Sequence, residues 1–408
     1  MEGKELKSLT SLAAAVDKLA SVLKDLELAV EEVDLLEARG RVLARSIEAK
    51  IAHPPFDRSA VDGYAVRSSD TYSASLFNPV ELRVVRDTPI KQGCTSPVST
   101  GEPLPEGADA VVMLEETTRG DGKILVYRPV AVGANVSRRG EDFSAGEVVL
   151  EAGSVLDFRK IPVLSAAGYS RVEVLGKLRI GVVSIGSEVV EPTWVSGDLP
   201  RGRILNSTSY VVLSYLGRYP FIDTAYYGLA PDDYSFVEDI VLKALSVNDI
   251  VITTGGTGPG SSDLVYELVE KNGEWVFRGV AMRPGRPTSL SLVGGKPILH
   301  LSGFPLAAWT GLEGLFKPAL TRALGLKGLE TRVVYARLAT RLPNQAGYTT
   351  FIRSRLKAVG GELVVEPFML RGSGLLRSLS ETDSYIRVEE GSEGFEEGEV
   401  IPVYLDYP

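Results

Sequence analysis

The chain has 408 residues, too many for one hydrophobic core and enough for two to four domains. Hydrophobic residues are 44% and charged residues 24%, an ordinary globular composition, and the net charge of -9 excludes a general nucleic-acid surface. A single cysteine, Cys94, and two histidines, His53 and His300, exclude an internal disulfide and a Cys/His zinc site, so the chemistry must rest on carboxylates, Lys/Arg and backbone groups.

In chain order, Leu12, Val16, Leu19, Val22 and Leu23 recur at helical spacing. A second periodic stretch from Leu36 to Ile47 predicts another helix. From His53 to about Glu147 short β-type runs such as LRVVR, ADAVVML and KILVYR are cut by Gly, Pro, Asp and Asn, which predicts a small β-rich unit. Helix-compatible sequence returns around Asp157 to Ala167, so that unit reads as an insertion. From Leu178 to about Leu324 strands alternate with helices: RIGVVSIG, Ser207 to Leu216, DTAYYGLA, Tyr234 to Leu245, DIVITTGG, PILHLSG and Leu306 to Leu324. Alternation of this kind predicts a mostly parallel sheet covered by helices, with ligands at the carboxyl ends of its strands. After Lys327 the strand signals resume in TRVVYARLA, YTTFIRSRLKAV, GELVVEPF, SYIRVEE and VIPVYL, which predicts a small β domain. The N-terminus carries no signal peptide and no apolar run reaches membrane-spanning length, so a cytoplasmic protein without a membrane partner is expected.

Several loops could carry chemistry. PPFDRSAVDGYAV places Asp57 and Asp62 around Ser59, and SRRGEDFSAG holds Arg138, Arg139, Glu141 and Asp142. Carboxylates on rigid loops suit a hydrated Mg²⁺ bridging to phosphate; Asp62-Gly63 is also a common hairpin corner, and RGED an ion-pair turn. Thr100-Gly101 forms a turn in STGEPL. In VVSIGSEVVEP the strand ends in Ser184, Gly186 and Glu188, an acid well placed for a ligand amine or hydroxyl. Asn206 and Ser207 open a helix, as N-cap residues or as ligand contacts. TTGGTGPGSSD breaks a β-branched run into Gly255, Gly256, Gly258 and Gly260 before Ser261 and Asp263. Such a turn lets amides approach a phosphate, and it also serves as a tight strand-to-helix connection. MRPGRP sets Arg283 and Arg286 about a Pro-Gly turn as a candidate oxyanion clamp or as surface arginines, and Gly303 and Pro305 mark another strand-to-helix turn.

Taken in order, PPFDRSAVDGYAVR, STGEPLPEGADAVVMLEE, RRGEDFSAGEVVLEAG, SIGSEV, LNSTSY, TTGGTGPGSSD and MRPGRP resemble the motifs of the molybdopterin molybdenumtransferases, the MoeA and gephyrin E-domain family. The resemblance spans essentially the whole chain. It implies an elongated α/β and β multidomain subunit, divided here as a discontinuous helical or linking domain (1–48 plus 148–175), a β-rich inserted domain (49–147), a three-layer α/β molybdopterin-binding domain (176–326) and a small barrel-like C-terminal domain (327–408). It also implies a homodimer with a shared active site, fed by a molybdopterin adenylyltransferase. Such enzymes take adenylylated molybdopterin with molybdate or tungstate and a divalent ion such as Mg²⁺, and release molybdenum cofactor and AMP.

Carried over by position, the resemblance makes Asp57, Asp62 and Asp142 metal-binding and catalytic, with Glu188 and Asp263 as further catalytic acids. Thr100, Ser184, Gly186, Asn206, Asp232, Gly255, Gly256, Gly258, Ser261, Gly303, Pro305 and Ser373 would contact the pterin nucleotide. Arg283 and Arg286 would share that role and join Arg138 and Arg139 on the oxyanion. The chemistry is coherent, since cleavage of a phosphoanhydride needs neutralised phosphates and an oriented water rather than a side-chain nucleophile. Two departures stand out: RPGRP replaces the usual KPGKP, and LSGFP replaces a GLPGNP-like turn, with Phe304 where relatives carry Asn. The second leaves open a non-catalytic cofactor carrier, and the α/β unit alone would suit a molybdopterin adenylyltransferase.

Overall fold

The computed structural model describes residues 9–86, 89–194, 197–256, 264–368 and 374–406. The helix Leu12–Lys24 forms where its spacing predicts, with Ser11 as N-cap accepting the Ala14 N–H at 3.3 Å. Its buried face (Leu12, Ala15, Val16, Leu19, Ala20, Leu23) shares a core with Ile180, Ile252, Leu299 and Leu320 of the α/β region.

The helix predicted from Leu36 to Ile47 is not formed. That segment follows the strand Val30–Asp34, turns at Gly40, makes single bridges from Val42 to Val155 and Leu43 to Val174, and ends in the strand Ile47–Glu48. Gly40 has φ +77° with the Pro220 ring behind it, a backbone no helix accommodates. Leu36 is 86% exposed while Val42, Leu43 and Ile47 are buried, so the apolar spacing reflects β-edges.

Val30–Asp34 pairs antiparallel with Arg171–Leu175, and Ile47–Glu48 with Val148–Leu150, which ties the chain before the insert to the chain after it. The helix Lys160–Ala166 buries Leu164 against Leu43, Leu156 and Val174. The insert itself is a six-stranded sheet in the order Ala110–Met113, Gly63–Val66, Cys94–Val98, Val80–Val84, Lys123–Val126, Thr117–Gly120, closed over Tyr64, Leu82, Val112 and Ile124.

The α/β sheet runs Ile222–Ala230, Leu178–Ile185, Ile250–Thr254, Lys296–Leu301, Ser289–Val293, Gly273–Arg278. The first four strands are parallel, as predicted; the last two form an antiparallel edge that periodicity did not reveal. The chain leaves Leu178–Ile185 toward one side and returns on the other at Ile250–Thr254, so a crevice opens between those two carboxyl ends. Helices Thr208–Leu216, Tyr234–Val247 and Leu264–Asn272 cover the faces.

From Pro305 to Ala323 the helix is continuous but widens into a π segment at Leu312–Phe316. Pro318, one turn on, cannot donate a backbone hydrogen bond, and the wider turn absorbs the loss. The C-terminal strands Val333–Leu338, Thr349–Val359, Glu362–Pro367, Ser384–Val388 and Val400–Leu405 close on themselves as a five-stranded barrel. No helix among the described residues is long and apolar enough to cross a membrane.

Candidate functional site

Three loops of the insert are knitted together by backbone bonds. Ser59 donates its N–H to Glu102 and accepts from Gly101, Arg58 pairs with Ser137, and Asp142 donates its N–H to the His53 carbonyl at 3.0 Å. Asp57 accepts the Arg139 N–H at 2.7 Å, and Asp62 accepts both the N–H (2.7 Å) and the hydroxyl (3.2 Å) of Thr100. The structure therefore joins the loops of Asp57, Asp62, Thr100, Arg138, Arg139 and Asp142, all of them exposed side chains. Their polar ends are spent partly on turn geometry, and the second oxygen of Asp57 and of Asp62 has no protein partner among the described residues.

A cleft of about 270 Å³ opens at the carboxyl ends of the parallel strands. Ser184, Glu188, Asn206, Thr254, Gly255, Gly303, Phe304 and Pro305 line it. Gly255 turns there at φ +84°, and a Cβ would meet the Ile185 carbonyl at 2.2 Å, so only glycine lets the two strand ends approach. Gly256 follows in the same turn. The Thr254 hydroxyl donates to Ser184 Oγ at 3.2 Å, and the Thr208 hydroxyl donates to the Gly303 carbonyl at 2.7 Å, locking the second turn against the first. Glu188 is exposed on the lip, its carboxylate folded back over Gly186. Phe304 is the N-cap of the following helix and supplies no side-chain hydrogen bond, so the first turn at Pro305 faces the cleft without the cap an Asn would give.

Two expected contact residues serve the scaffold. Asp232 accepts the Ser187 N–H at 3.1 Å while its own N–H donates to Ser187 Oγ at 2.8 Å, a reciprocal clamp beneath Glu188. Asn206 accepts the Ser209 N–H at 3.2 Å and donates to Glu191 (3.1 Å) and Tyr226 (2.8 Å), which leaves its amide no free donor. Gly258, Ser261, Asp263 and Ser373 lie outside the described residues.

Arg283 and Arg286 do not line the cleft among the described residues. Arg283 lies over the Tyr348 ring at 4.0 Å, and Arg286, then Arg283, hydrogen-bond the Tyr348 hydroxyl and lower its pKa against the opposing effect of burial. Gly285 between them lies against the Ala307 carbonyl, one turn into the cleft-facing helix.

The residues passed over are Glu191, Tyr210 and Tyr226. Tyr226 donates to Glu191 at 2.5 Å, and Tyr210 reaches the other carboxylate oxygen at 3.4 Å. Burial, then the hydrogen bond and charge of Glu191, push the Tyr226 hydroxyl well above its ordinary pKa, so it remains a donor. An acid directly before Pro192, just past the SIGSE turn, was the signal in the sequence.

Among the described residues no group of three or more His, Cys, Asp or Glu converges on a metal position. Asp57, Asp62 and Asp142 thus make no closed cage, but Mg²⁺ usually takes one or two carboxylates together with substrate phosphates, and exposed carboxylates on rigid loops fit that use.

Sequence profiles of the MoeA N-terminal region (domain I and II), of a probable molybdopterin binding domain and of the MoeA C-terminal region (domain IV) match residues 10–168, 181–322 and 335–405. A Methanocaldococcus jannaschii protein named for molybdopterin biosynthesis is 33% identical over 98% of both chains. A molybdopterin molybdenumtransferase of Staphylococcus epidermidis is 31% identical over 91% of this chain and 90% of its own. The crystal structure of a molybdopterin biosynthesis MoeA protein from Pyrococcus horikoshii OT3 superposes with a TM-score of 0.82 at 32% identity, covering 98% of this chain and all of that one.

Proposed function

The chain belongs to the MoeA family, and from that premise we propose that it is a molybdopterin molybdenumtransferase, inserting molybdenum or tungsten into adenylylated molybdopterin with release of AMP. The observation that carries the proposal is the crevice between Leu178–Ile185 and Ile250–Thr254, where the Gly255 turn, the Ser184 hydroxyl held by the Thr254 donor and the first turn at Pro305 gather polar groups for an anion.

In this reading the phosphoanhydride lies along the Gly255 turn, and Glu188 on the lip orients the attacking water. Bound Mg²⁺ would be held by one or two of the carboxylates of Asp57, Asp62 and Asp142 and would supply neutralising charge at the phosphates. Arg138 and Arg139 hold the metal oxyanion, with Arg283 and Arg286 carried on Tyr348 as a second clamp. No insert residue lines the cleft among the described residues, so in this reading the protein is a homodimer in which the insert of one subunit completes the cleft of the other, and it works in the cytoplasm. We keep the four units expected from the sequence, 1–48 plus 148–175, 49–147, 176–326 and 327–408, with the helix Leu12–Lys24 packed into the core of the third, and take a molybdopterin adenylyltransferase as the source of the substrate.

The test is AMP release from adenylylated molybdopterin with Mg²⁺, supplying molybdate and tungstate separately. Oxyanion-dependent release in the wild type, reduced about 100-fold or more in Asp62→Asn, is expected for loss of a group acting on transition-state charge. Tight binding without AMP under either oxyanion would favour a cofactor carrier, and Phe304→Asn is then the variant to restore turnover.

A further inference from the structure

The cleft continues past Asn206 and Ser207 into a second pocket of about 470 Å³, also lined by Pro192, Tyr210, Val211 and Leu376. It is shallow and open to solvent, with mostly apolar walls into which Ser207 and Ser214 also project. Tyr210 is 46% and Leu376 45% exposed, on opposite domains, and Ile204 and Leu205 continue the exposed apolar surface into the first cleft. Large apolar side chains gathered on a shallow, solvent-open shelf beside a deeper cleft mark a ligand surface. Beside Pro192 stands Glu191. Its Oε1 accepts from Tyr226 and Asn206, but its Oε2 has only the long 3.4 Å approach of Tyr210, so one carboxylate oxygen retains most of its accepting capacity.

A carboxylate at the edge of an apolar shelf selects a flat ring that stacks on the shelf and offers adjacent N–H donors. The 2-amino-4-oxopyrimidine edge of a pterin has that pair, N3–H and the 2-amino group; adenine lacks it. We propose that Glu191, with the shelf of Tyr210 and Leu376, is the subsite for the substrate's pterin ring, its phosphate passing Ser207 to the Gly255 turn. The assignment rests on the ligand being a phosphorylated pterin, as the proposed function requires. Asn206 and Tyr226 act here as positioning residues, holding the carboxylate through Oε1.

The experiment titrates the full-length protein with 6-hydroxymethylpterin and with 6-hydroxymethyllumazine, which has a carbonyl in place of the 2-amino group, following ring fluorescence. The wild type is expected to prefer the pterin at least tenfold, because the carbonyl sets an acceptor against an acceptor. Glu191→Gln should erase that preference, and Leu376→Ala should weaken both rings several-fold while keeping it. AMP, held through its phosphate, should bind Glu191→Gln and Leu376→Ala as it binds the wild type. Equal affinity of the wild type for the two rings overturns the assignment without any variant. Loss of AMP binding in either variant with the pterin unaffected would make adenine the occupant and overturn it as well. AMP release by the wild type is read separately: pterin preference without AMP release would sink metal insertion and leave the subsite standing, and the reverse result would do the opposite.

Discussion

His300 is buried in the sheet with Nδ1 2.9 Å from the Thr253 hydroxyl and Nε2 2.8 Å from the Ser291 hydroxyl. Burial pushes its pKa down to about 3, so the folded protein keeps a neutral ring that the unfolded chain protonates near its ordinary value of about 6.5. Between those values the unfolded state binds the extra proton, so this contribution is fully present above about pH 6.5 and is lost as pH falls toward 3. By pH 5 the loss amounts to about 2 kcal/mol. Denaturant unfolding at pH 7 and pH 5 checks it: His300→Gln should be less stable at pH 7 yet fall less steeply with acid, and parallel slopes would reject the account. The acids proposed as catalytic illustrate the reverse case of legibility. Asp57 and Asp62 stood out because Gly and Pro punctuate their loops, whereas Glu191 gains its meaning from Tyr226, a strand away.

Turns and caps decide the elements. Gly255→Ala places a Cβ 2.2 Å from the Ile185 carbonyl at a positive φ, so the turn must move. A loss of about 2–4 kcal/mol, or a stable protein with anion binding abolished, is expected, and thermal unfolding with AMP titration separates the two. Ser11→Ala removes the cap on the first helix and should cost about 1 kcal/mol without touching AMP release; an effect below about 0.3 kcal/mol would mean the packed face alone holds that helix. Helical period succeeded for Leu12–Lys24 and failed from Leu36 to Ile47, since Gly40 and the bridges to Val155 and Val174 override local spacing. The antiparallel strands Gly273–Arg278 and Ser289–Val293 escaped notice for a related reason: their runs are short and are recognised through each other.

At the scale of the molecule, the barrel is bound to the α/β region through a buried carboxylate. Glu313, in the π segment, accepts from Tyr215 (2.6 Å), Tyr385 (3.2 Å), Lys317 (2.9 Å) and Thr331 (3.0 Å), joining a sheet-covering helix to a barrel strand. Burial first, then the charge of Glu313, raises both tyrosine pKa values, which keeps them donors. Lys317→Met leaves the carboxylate buried without its cation and should cost about 3–5 kcal/mol; adding Glu313→Gln should recover part of it. Additive losses in that double-mutant cycle would show that the pair is not coupled. The proposed dimer predicts a solution mass twice the chain's 43.9 kDa by light scattering, and a monomer with full AMP release would reject the shared site. By itself the sequence determined what is local: the alternation that builds a parallel sheet, the glycine turn after its buried strand, the acid loops of the insert and the motif order that marks the family. Only the tertiary structure decided which side chains meet. Tyr226 and Glu191, Tyr210 and Leu376, or Glu313 and Tyr385 are distant in the chain, and no periodicity encodes contacts that arise when separately packed surfaces are brought together.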